Sequence, residues 1–279
     1  MLRKFPRFTK PAGIRSMLGD RISAVRLSRR KTATAGVFVA IILLFTVRWN
    51  GFNLFIWLKE TRSEVVITQG SRKDKTIALT FDDGPDVNYT PRVLAILRKY
   101  RIHATFFEEG RMIKLHPDLA RLTVENGHSI GNHTFSHPYL ERESPSDVRA
   151  EIAGCDREIA SELGIRTTLL RPPRGAWNPT IFEEARRTRR HIILWSVALE
   201  HQSTPAPTDM AERVLKQIQP GGIILMHDGG SVSRESTVQA LPILIAGLLK
   251  RGYRMVSVPE LLGIAGVEQS AQFHRVTIR

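Results

Sequence analysis

The sequence contains a single cysteine, Cys155, among its 279 residues. One cysteine excludes a disulfide framework within the chain and a metal site built from several thiolates. Acidic residues are also scarce: 27 Asp and Glu stand against 41 Lys and Arg, which gives a net charge of +14. Aromatic residues make up only 7% of the chain, and they do not interleave with the basic ones. The positive charge therefore does not indicate a nucleic-acid partner.

The positive charge is concentrated at the amino terminus. Residues 1–31 contain ten Lys or Arg and one acid, Asp20, and an uncharged run over 32–47 follows them. That run is shorter than the roughly 20 residues that span a bilayer. However, Arg48 can extend its side chain to the lipid interface, and residues 49–58 are again largely apolar. We therefore predict a basic cytoplasmic arm (1–31), a transmembrane signal anchor helix (32–58) and a polar linker (59–74).

A signal anchor would leave the rest of the chain outside a bacterial inner membrane, with membrane lipid as the partner of the anchor. A cleaved signal peptide is the main alternative. Its basic region would be unusually long, and no small-x-small cleavage pattern follows the apolar run. After the linker we predict one domain over 75–265 and a tail over 266–279.

Short apolar runs alternate with helical patterns throughout this domain. The strand candidates are Ile77–Phe81, Ala104–Phe107, Ser129–Asn132, Thr168–Leu170, Ile192–Trp195, Ile223–Met226 and Arg254–Val256. The helix candidates are Pro91–Lys99, Pro117–Glu125, Pro145–Leu163, Pro179–Arg187, Thr208–Ile218 and Ser236–Arg251. This alternation predicts an α/β fold with a parallel sheet, and seven strands favour a (β/α) barrel over an open doubly wound sheet, which remains the alternative. In both folds, ligands bind at the carboxyl ends of the strands.

Two strand ends carry side chains that suit a metal ion. Asp82 and Asp83 end the first strand, and an acidic pair at one site usually needs a cation or a shared proton. His133 and His137 follow the third strand, and a spacing of four places both imidazoles on one face of a helical turn. Imidazole and carboxylate ligands together suit zinc or another divalent first-row ion, with one position left open for water.

Two further strand ends carry groups that can act in catalysis. Arg171 follows the fourth predicted strand, and two prolines after it stiffen the loop that would hold it toward a carboxylate. His227 ends a buried apolar strand, where an imidazole can act as a general acid or can simply cap a turn.

At these residues the chain resembles the polysaccharide deacetylases, the family-four carbohydrate esterases. Thr80-Phe-Asp-Asp-Gly-Pro85 and His133-Thr-Phe-Ser-His137 match the first two motifs of that family, and the two together are highly specific. Arg171-Pro-Pro and Ile223-Ile-Leu-Met-His227 resemble two later motifs. The resemblance implies a distorted (β/α) barrel and a metal-dependent hydrolase that removes N- or O-acetyl groups from a carbohydrate, here an N-acetylated glycan of the envelope or extracellular space.

The resemblance also implies a role for each matching residue. Asp83, His133 and His137 would hold one divalent ion, zinc in particular. Asp82 would be the base that activates the water on the metal, Arg171 would orient Asp82, and His227 would protonate the leaving amine. On the substrate side, Leu225 would line the pocket for the acetyl methyl group. The backbone N–H beside Thr134 or Tyr139 would stabilise the oxyanion. Apart from the resemblance, Trp177 is a candidate to stack on a sugar ring, with ordinary packing as the alternative.

The sequence departs from the family at two places. Arg174 stands where an aromatic residue often follows Arg-Pro-Pro, and it replaces a flat groove wall with a cation. In the fourth motif, Ala198, His201 and Gln202 replace the usual Asp, Asp and Trp, so Glu200 or His201 is the substitute partner we expect for the site. These changes leave two alternatives open: a deformylase or amidase that acts on a lipid-linked amino sugar, and a catalytically silent glycan-binding module.

Overall fold

A curved parallel sheet surrounded by helices forms the domain. The computed structural model describes residues 65–200 and 206–264 in full and residues 267–269 as backbone. The strands are β1 (Val66–Ile67), β2 (Thr76–Asp82), β3 (Thr105–Glu108), β4 (Ser129–Asn132), β5 (Ile165–Thr167), β6 (Leu169–Leu170), β7 (His191–Ile193), β8 (Val197–Ala198), β9 (Ile223–His227), β10 (Arg254–Val256) and β11 (Val267–Gln269). The helices are α1 (Thr90–Tyr100), α2 (Gly110–Leu115), α3 (Pro117–Glu125), α4 (Pro145–Leu163), α5 (Pro179–Arg187), α6 (Pro207–Gln217), α7 (Glu235–Lys250) and α8 (Val258–Leu262).

The order of the strands shows how the sheet curves. Neighbouring strands pair in the order β1-β7-β6-β4-β3-β2-β9-β8, all of them parallel, and β10 also pairs with β2. Strands β7 and β8 lie near opposite ends of this path, yet only residues 194–196 separate them along the chain. One bend therefore joins the two sides of the sheet, which gives a half-barrel with helices outside it. The predicted parallel α/β class is confirmed, and the joined ends favour the distorted barrel over an open sheet.

All seven predicted strands and all six predicted helices are present. Sequence patterns missed the shortest elements, among them α2, α8 and β8. The predicted arm (1–31) and anchor (32–58) lie outside the described residues. No helix within the described residues is long and apolar enough to cross a membrane. The predicted tail includes β11, which pairs antiparallel with β5.

Proline and a capping side chain explain where several helices begin. Helix α4 starts with Pro145, and proline is tolerated there because N–H groups in the first turn have no acceptor within the helix. The Ser144 hydroxyl accepts from the Asp147 N–H and caps the same end. The same helix ends at Gly164, which has a left-handed backbone (φ +66°) that glycine adopts at little cost. These local signals are why the predicted and observed bounds of α4 agree.

The alternation of side chains along β2 aims its polar residues at the site. Ile77, Leu79 and Phe81 pack into the largest apolar cluster, which includes residues of α1 and α7. Thr80 and Asp82 point to the opposite face because successive strand residues alternate. That face is the interior of the half-barrel, and both side chains reach it with almost no exposure to solvent.

Glu108, at the end of β3, is a buried acid that no described residue compensates. Its side chain is fully buried, and neither carboxyl oxygen has a hydrogen-bond partner among the described residues. Burial raises the pKa of Glu108 well above its usual value, and the nearby charge of Asp228 raises it further. The folded protein therefore binds this proton more tightly than the unfolded chain does. Stability falls as the pH rises above the unfolded pKa of about 4.5.

We predict that Glu108→Gln stabilises the protein relative to wild type more at pH 8 than at pH 5. The neutral amide removes the cost of ionising a buried carboxyl, a gain on the order of 1–3 kcal/mol at pH 8. Urea unfolding of both proteins at both pH values, with chelator present, measures the difference. The control Glu183→Gln, at an exposed position, should change little at either pH. An equal difference for Glu108→Gln at pH 5 and pH 8 would contradict the prediction.

Candidate metal and active site

Three side chains converge beyond the carboxyl ends of β2 and β4. Oδ1 of Asp83 lies 3.3 Å from Nε2 of His133 and 3.4 Å from Nε2 of His137. The three ligand atoms all lie within 4.8 Å of one another. The structure therefore brings together the three residues predicted to hold a metal.

The hydrogen bonds of this cluster fit a cation. Nδ1 of His133 lies 2.7 Å from the carbonyl oxygen of Arg171 and donates to it, which leaves Nε2 with a free lone pair. Oδ1 of Asp83 is buried and has no hydrogen-bond partner among the described residues. The Nε2 lone pair of His133 and the free oxygen of Asp83 thus face one point, and Nε2 of His137 faces the same point. Two nitrogen ligands and one oxygen ligand are a typical set for zinc with an open position.

The segment that carries the two histidines is a loop, so the predicted helical turn is wrong. Thr134 and His137 both have left-handed backbones (φ +68° and +58°), which no α-helix contains. Side chains fix the loop instead: the Thr134 N–H donates to Asn132 Oδ1, and Asn132 Nδ2 donates to Asp156 on α4. The Thr134 N–H is therefore already engaged. Of the two N–H groups predicted to bind an oxyanion, only that of Tyr139 remains a candidate.

Charges and burial within the cluster favour the ligand-competent forms of Asp83 and His137 but not that of His133. Burial alone would raise the pKa of Asp83, but the neighbouring imidazoles, His133 foremost, outweigh it and hold that pKa well below its usual value. Burial, with the charges of His133 and Arg174, lowers the pKa of His137 to about 4. Burial opposes charging of His133, yet Asp82 and Asp83 raise its pKa overall. A cation must therefore displace a proton mainly from His133, so metal binding should weaken as the pH falls.

Arg171 holds Asp82 from inside the half-barrel. Its fully buried guanidinium donates from Nη1 to Asp82 Oδ1 (2.6 Å) and Thr80 Oγ1 (2.9 Å), and from Nε to the carbonyl of Ile193 (2.9 Å). The cation also lies 4.0 Å from the centre of the Phe107 ring. Only one oxygen of Asp82 is held in this way. The other, Oδ2, lies 3.7 Å from Nε2 of His133, at the edge of the metal cluster.

His227 has a carboxylate partner, Glu200, which is not at one of the usual acidic positions of the fourth motif. Oε2 of Glu200 lies 3.2 Å from Nδ1 of His227, and Oε1 accepts from the His227 N–H (3.0 Å) and the Thr237 hydroxyl (2.7 Å). Burial opposes charging of His227, but Glu200 outweighs it and raises the pKa of the imidazole. Of the two expected substitute partners, Glu200 is in contact with His227. His201 and Gln202 lie outside the described residues, and Ala198 pairs with Leu225 in β8 and β9.

Sequence reasoning missed Arg234. Its Nη2 lies 3.2 Å from Oδ2 of Asp83, and its Nε donates to the carbonyl of Gly229 (2.6 Å). It thereby restrains the second oxygen of Asp83, a residue with a left-handed backbone (φ +71°). An arginine in a glycine-containing loop is common, so the sequence offers no signal for this contact.

The three predicted substrate-binding residues differ in accessibility. Leu225 is buried in β9, two residues before His227 and therefore on the same face of the strand. Tyr139 is 52% exposed at the rim of the site. Trp177 is half-buried and packs against an apolar cluster, with its ring 6.5 Å from that of Phe182. These two are packing contacts, and the role of Trp177 in binding sugar stays a prediction.

We predict that Asp83→Asn lowers the affinity for zinc by more than about tenfold. Loss of a residue that only supports a metal ligand already costs about that much, so loss of the charge of a ligand should cost more. The amide keeps the shape but removes the charge that faces both imidazoles. Calorimetric titration with Zn²⁺ at pH 7 measures the effect. Asp86→Asn is the matched control, because it removes the same charge from the same loop at a position that only caps the Asn88 and Tyr89 N–H groups. Equal affinities of the two variants would exclude the assigned site.

Comparisons with known proteins agree with this geometry. The family described as polysaccharide deacetylase matches residues 69–192. A peptidoglycan-N-acetylglucosamine deacetylase of Bacillus cereus is 39% identical over 192 residues, which cover 68% of this chain and 89% of that protein. The peptidoglycan-N-acetylmuramic acid deacetylase PdaA of Bacillus subtilis is 36% identical over 197 residues, 69% of this chain and 73% of that one.

Solved structures show the same relationship. The crystal structure of the Bc1960 peptidoglycan N-acetylglucosamine deacetylase superposes with a TM-score of 0.71 at 29% identity, and the match covers 76% of this chain and 98% of that one. Together with the matching sequence segments, this similarity assigns the family. The chain belongs to the polysaccharide deacetylases, a family of hydrolases, as its first two motifs predicted.

Proposed function

We propose that this protein is a metal-dependent hydrolase that removes the N-acetyl group from an amino sugar of an envelope glycan. The observation that carries the proposal is the position of Asp82. One of its oxygens is bound by buried Arg171, and the other faces the cluster of Asp83, His133 and His137. His227 is the register partner of Asp82 in the pairing of β2 and β9, so the base and the acid lie side by side on the same face of the sheet.

A divalent ion, zinc in this proposal, would be held by Asp83, His133 and His137, where it would polarise the acyl oxygen and make water more acidic. Asp82 is then the base. Arg171 satisfies its Oδ1, so Oδ2 is the oxygen that accepts the proton of the attacking water. Arg171 also restrains the carboxylate in this orientation, because its guanidinium is itself fixed by two backbone carbonyls.

His227 acts as the acid that protonates the leaving amine. Glu200 stabilises the charged imidazole at Nδ1, which leaves Nε2 to deliver the proton. Leu225, on the same strand face, provides the apolar wall for the acetyl methyl group. The N–H of Tyr139 is the proposed donor to the oxyanion.

The substrate in this proposal is peptidoglycan or a similar N-acetylated glycan. The related proteins named above act on two amino sugars of peptidoglycan, N-acetylglucosamine and N-acetylmuramic acid. We further propose that residues 32–58 anchor the chain in the bacterial inner membrane, with the catalytic domain on the extracytoplasmic side. The uncharged run over 32–47 and the basic residues before it support this location.

The pairing of Glu200 with His227 favours an enzyme over a silent glycan-binding module. The altered fourth motif was the argument for a silent module, because it removes the usual partner of the acid. Glu200 supplies a carboxylate from a neighbouring position. A deformylase would use the same groups, and it differs only in the acyl group that the pocket at Leu225 admits.

We predict that the metal-loaded protein releases acetate from peptidoglycan fragments and that Asp82→Asn reduces the rate about 10²–10⁴-fold, the usual contribution of a general base. Chromatographic measurement of acetate and formate checks both parts. Asp86→Asn is the control, and we expect it to keep the wild-type rate. Release of formate from an N-formylated amino sugar, with no acetate from peptidoglycan fragments, would favour the deformylase, and release of neither acid would favour the glycan-binding module.

We predict that Glu200→Gln moves the alkaline limb of the kcat/KM profile to lower pH. Glu200 raises the pKa of His227, so the acid stays protonated to a higher pH in the wild type and loses its proton earlier without that charge. His201→Ala tests the other substitute partner and should leave this limb in place. An unchanged alkaline limb in Glu200→Gln would show that Glu200 does not tune the acid.

A further inference from the structure

Arg174 places a cation at the rim of the metal cluster. It occupies the loop after β6, is exposed, and has a left-handed backbone (φ +59°). Its Nη1 lies 3.3 Å from Nδ1 of His137, and its Nη2 donates to the carbonyl of Pro138. Its guanidinium carbon lies 3.9 Å from the centre of the Tyr139 ring. The positive charge of Arg174 is therefore in direct contact with His137, a proposed metal ligand.

Arg174 differs from the other arginines near the site in having no acidic partner. Arg171 is paired with Asp82, and Arg234 is paired with Asp83. Within the described part of the chain, the partners of Arg174 are an imidazole, a carbonyl and a ring, and none of them is a carboxylate. Among the described residues, nothing compensates the positive charge of Arg174, and that charge lies beside the cluster of proposed metal ligands.

The contact between Arg174 and His137 is incompatible with His137 acting as a ligand through Nε2. Nε2 faces Asp83 Oδ1, and it can give its lone pair to a cation only if the ring proton is on Nδ1. Nδ1–H and the guanidinium N–H would then be two donors facing each other. When His137 binds a metal, the Nη1–H of Arg174 therefore loses its acceptor on the imidazole. It can then donate to an acceptor from outside the protein.

This inference rests on the proposed function. We propose that Arg174 selects an N-acetylated amino sugar that bears a carboxylate, such as that of a lactyl group attached to the ring through an ether. The guanidinium binds the carboxylate of the sugar that enters the site or of its neighbour, because a planar fork of N–H donors matches a carboxylate. The Tyr139 ring, which is half-exposed, contacts the guanidinium of Arg174 and also lies 4.5 Å from the guanidinium carbon of Arg142, so it helps to hold the cation at the rim of the site. A neutral amino sugar leaves this charge unpaired and binds more weakly.

The test compares one glycan fragment in two forms, with the lactyl carboxylate free and with the same carboxylate converted to its methyl ester. Binding is measured by calorimetry on zinc-loaded Asp82→Asn protein, which retains the metal ligands. In parallel, kcat/KM for acetate release is measured on zinc-loaded wild type. The quantity of interest in both arms is the preference for the free acid over the ester. It is measured again after Arg174→Gln and after the control Arg186→Gln, an exposed arginine in the last turn of α5.

We expect the free acid to be preferred, and Arg174→Gln to reduce that preference by about tenfold or more, as loss of a charge-assisted hydrogen bond would. Arg186→Gln should leave the preference unchanged. If Arg174 only positions the loop of His137 and Pro138, Arg174→Gln will weaken both forms equally, and that result overturns the proposal. Equal binding of both forms by the protein with Arg174 intact, or binding of neither, also overturns it.

The two arms separate this proposal from the proposed function. Absence of acetate release from both forms would refute the deacetylase function, yet the binding arm would still decide whether Arg174 recognises the carboxylate. A preference in binding that disappears in Arg174→Gln would support the proposal in that case. Acetate release with no preference between the two forms would support the function and refute the role of Arg174.

Discussion

A buried guanidinium in the interior of the half-barrel is the constraint on which this site depends. A buried charge is costly unless opposite charge and hydrogen bonds surround it. Arg171 meets that requirement with Asp82 and Thr80 on β2 and with carbonyls at and just after the end of β7. Its own carbonyl oxygen accepts from His133, next to β4. One residue therefore fixes the positions of three strand ends, and the side chains of the site are held in place by the same hydrogen bonds.

The fold was predictable where local signals and burial agree. Helix α4 has a proline and a serine cap at one end and a glycine at the other, so its bounds could be inferred from the sequence alone. The two-residue strand β8 could not, because its identity comes from pairing with β9 rather than from a pattern of its own. The curvature of the sheet also depends on such pairings. Periodicity predicts strands but says nothing about which of them meet.

The candidate site was predictable in its residue types and less so in its geometry. The acidic pair and the two histidines sit at strand ends, so a parallel sheet alone suggested that they meet. The spacing of His133 and His137 suggested a helical turn, but the chain forms a loop with positive φ values, in which the Thr134 N–H donates to the Asn132 side chain. Arg234 reaches Asp83 across 151 positions of sequence, and no local pattern records a contact of that range. Glu200 could be named as a possible substitute, but only the structure shows that its carboxylate contacts His227.

Arg171 makes one hydrogen bond to His133 through its main chain and one to Asp82 through its side chain, and a substitution affects the two differently. His133 is oriented by a main-chain oxygen, which every amino acid possesses, whereas Asp82 is oriented by a guanidinium that only arginine supplies. A single codon change can therefore disable proton abstraction while the imidazole keeps its tautomer and its capacity to coordinate. On this architecture, an enzyme and an inert glycan receptor are separated by one mutational step, and a bound ion would be a poor guide to which of them a given homologue is.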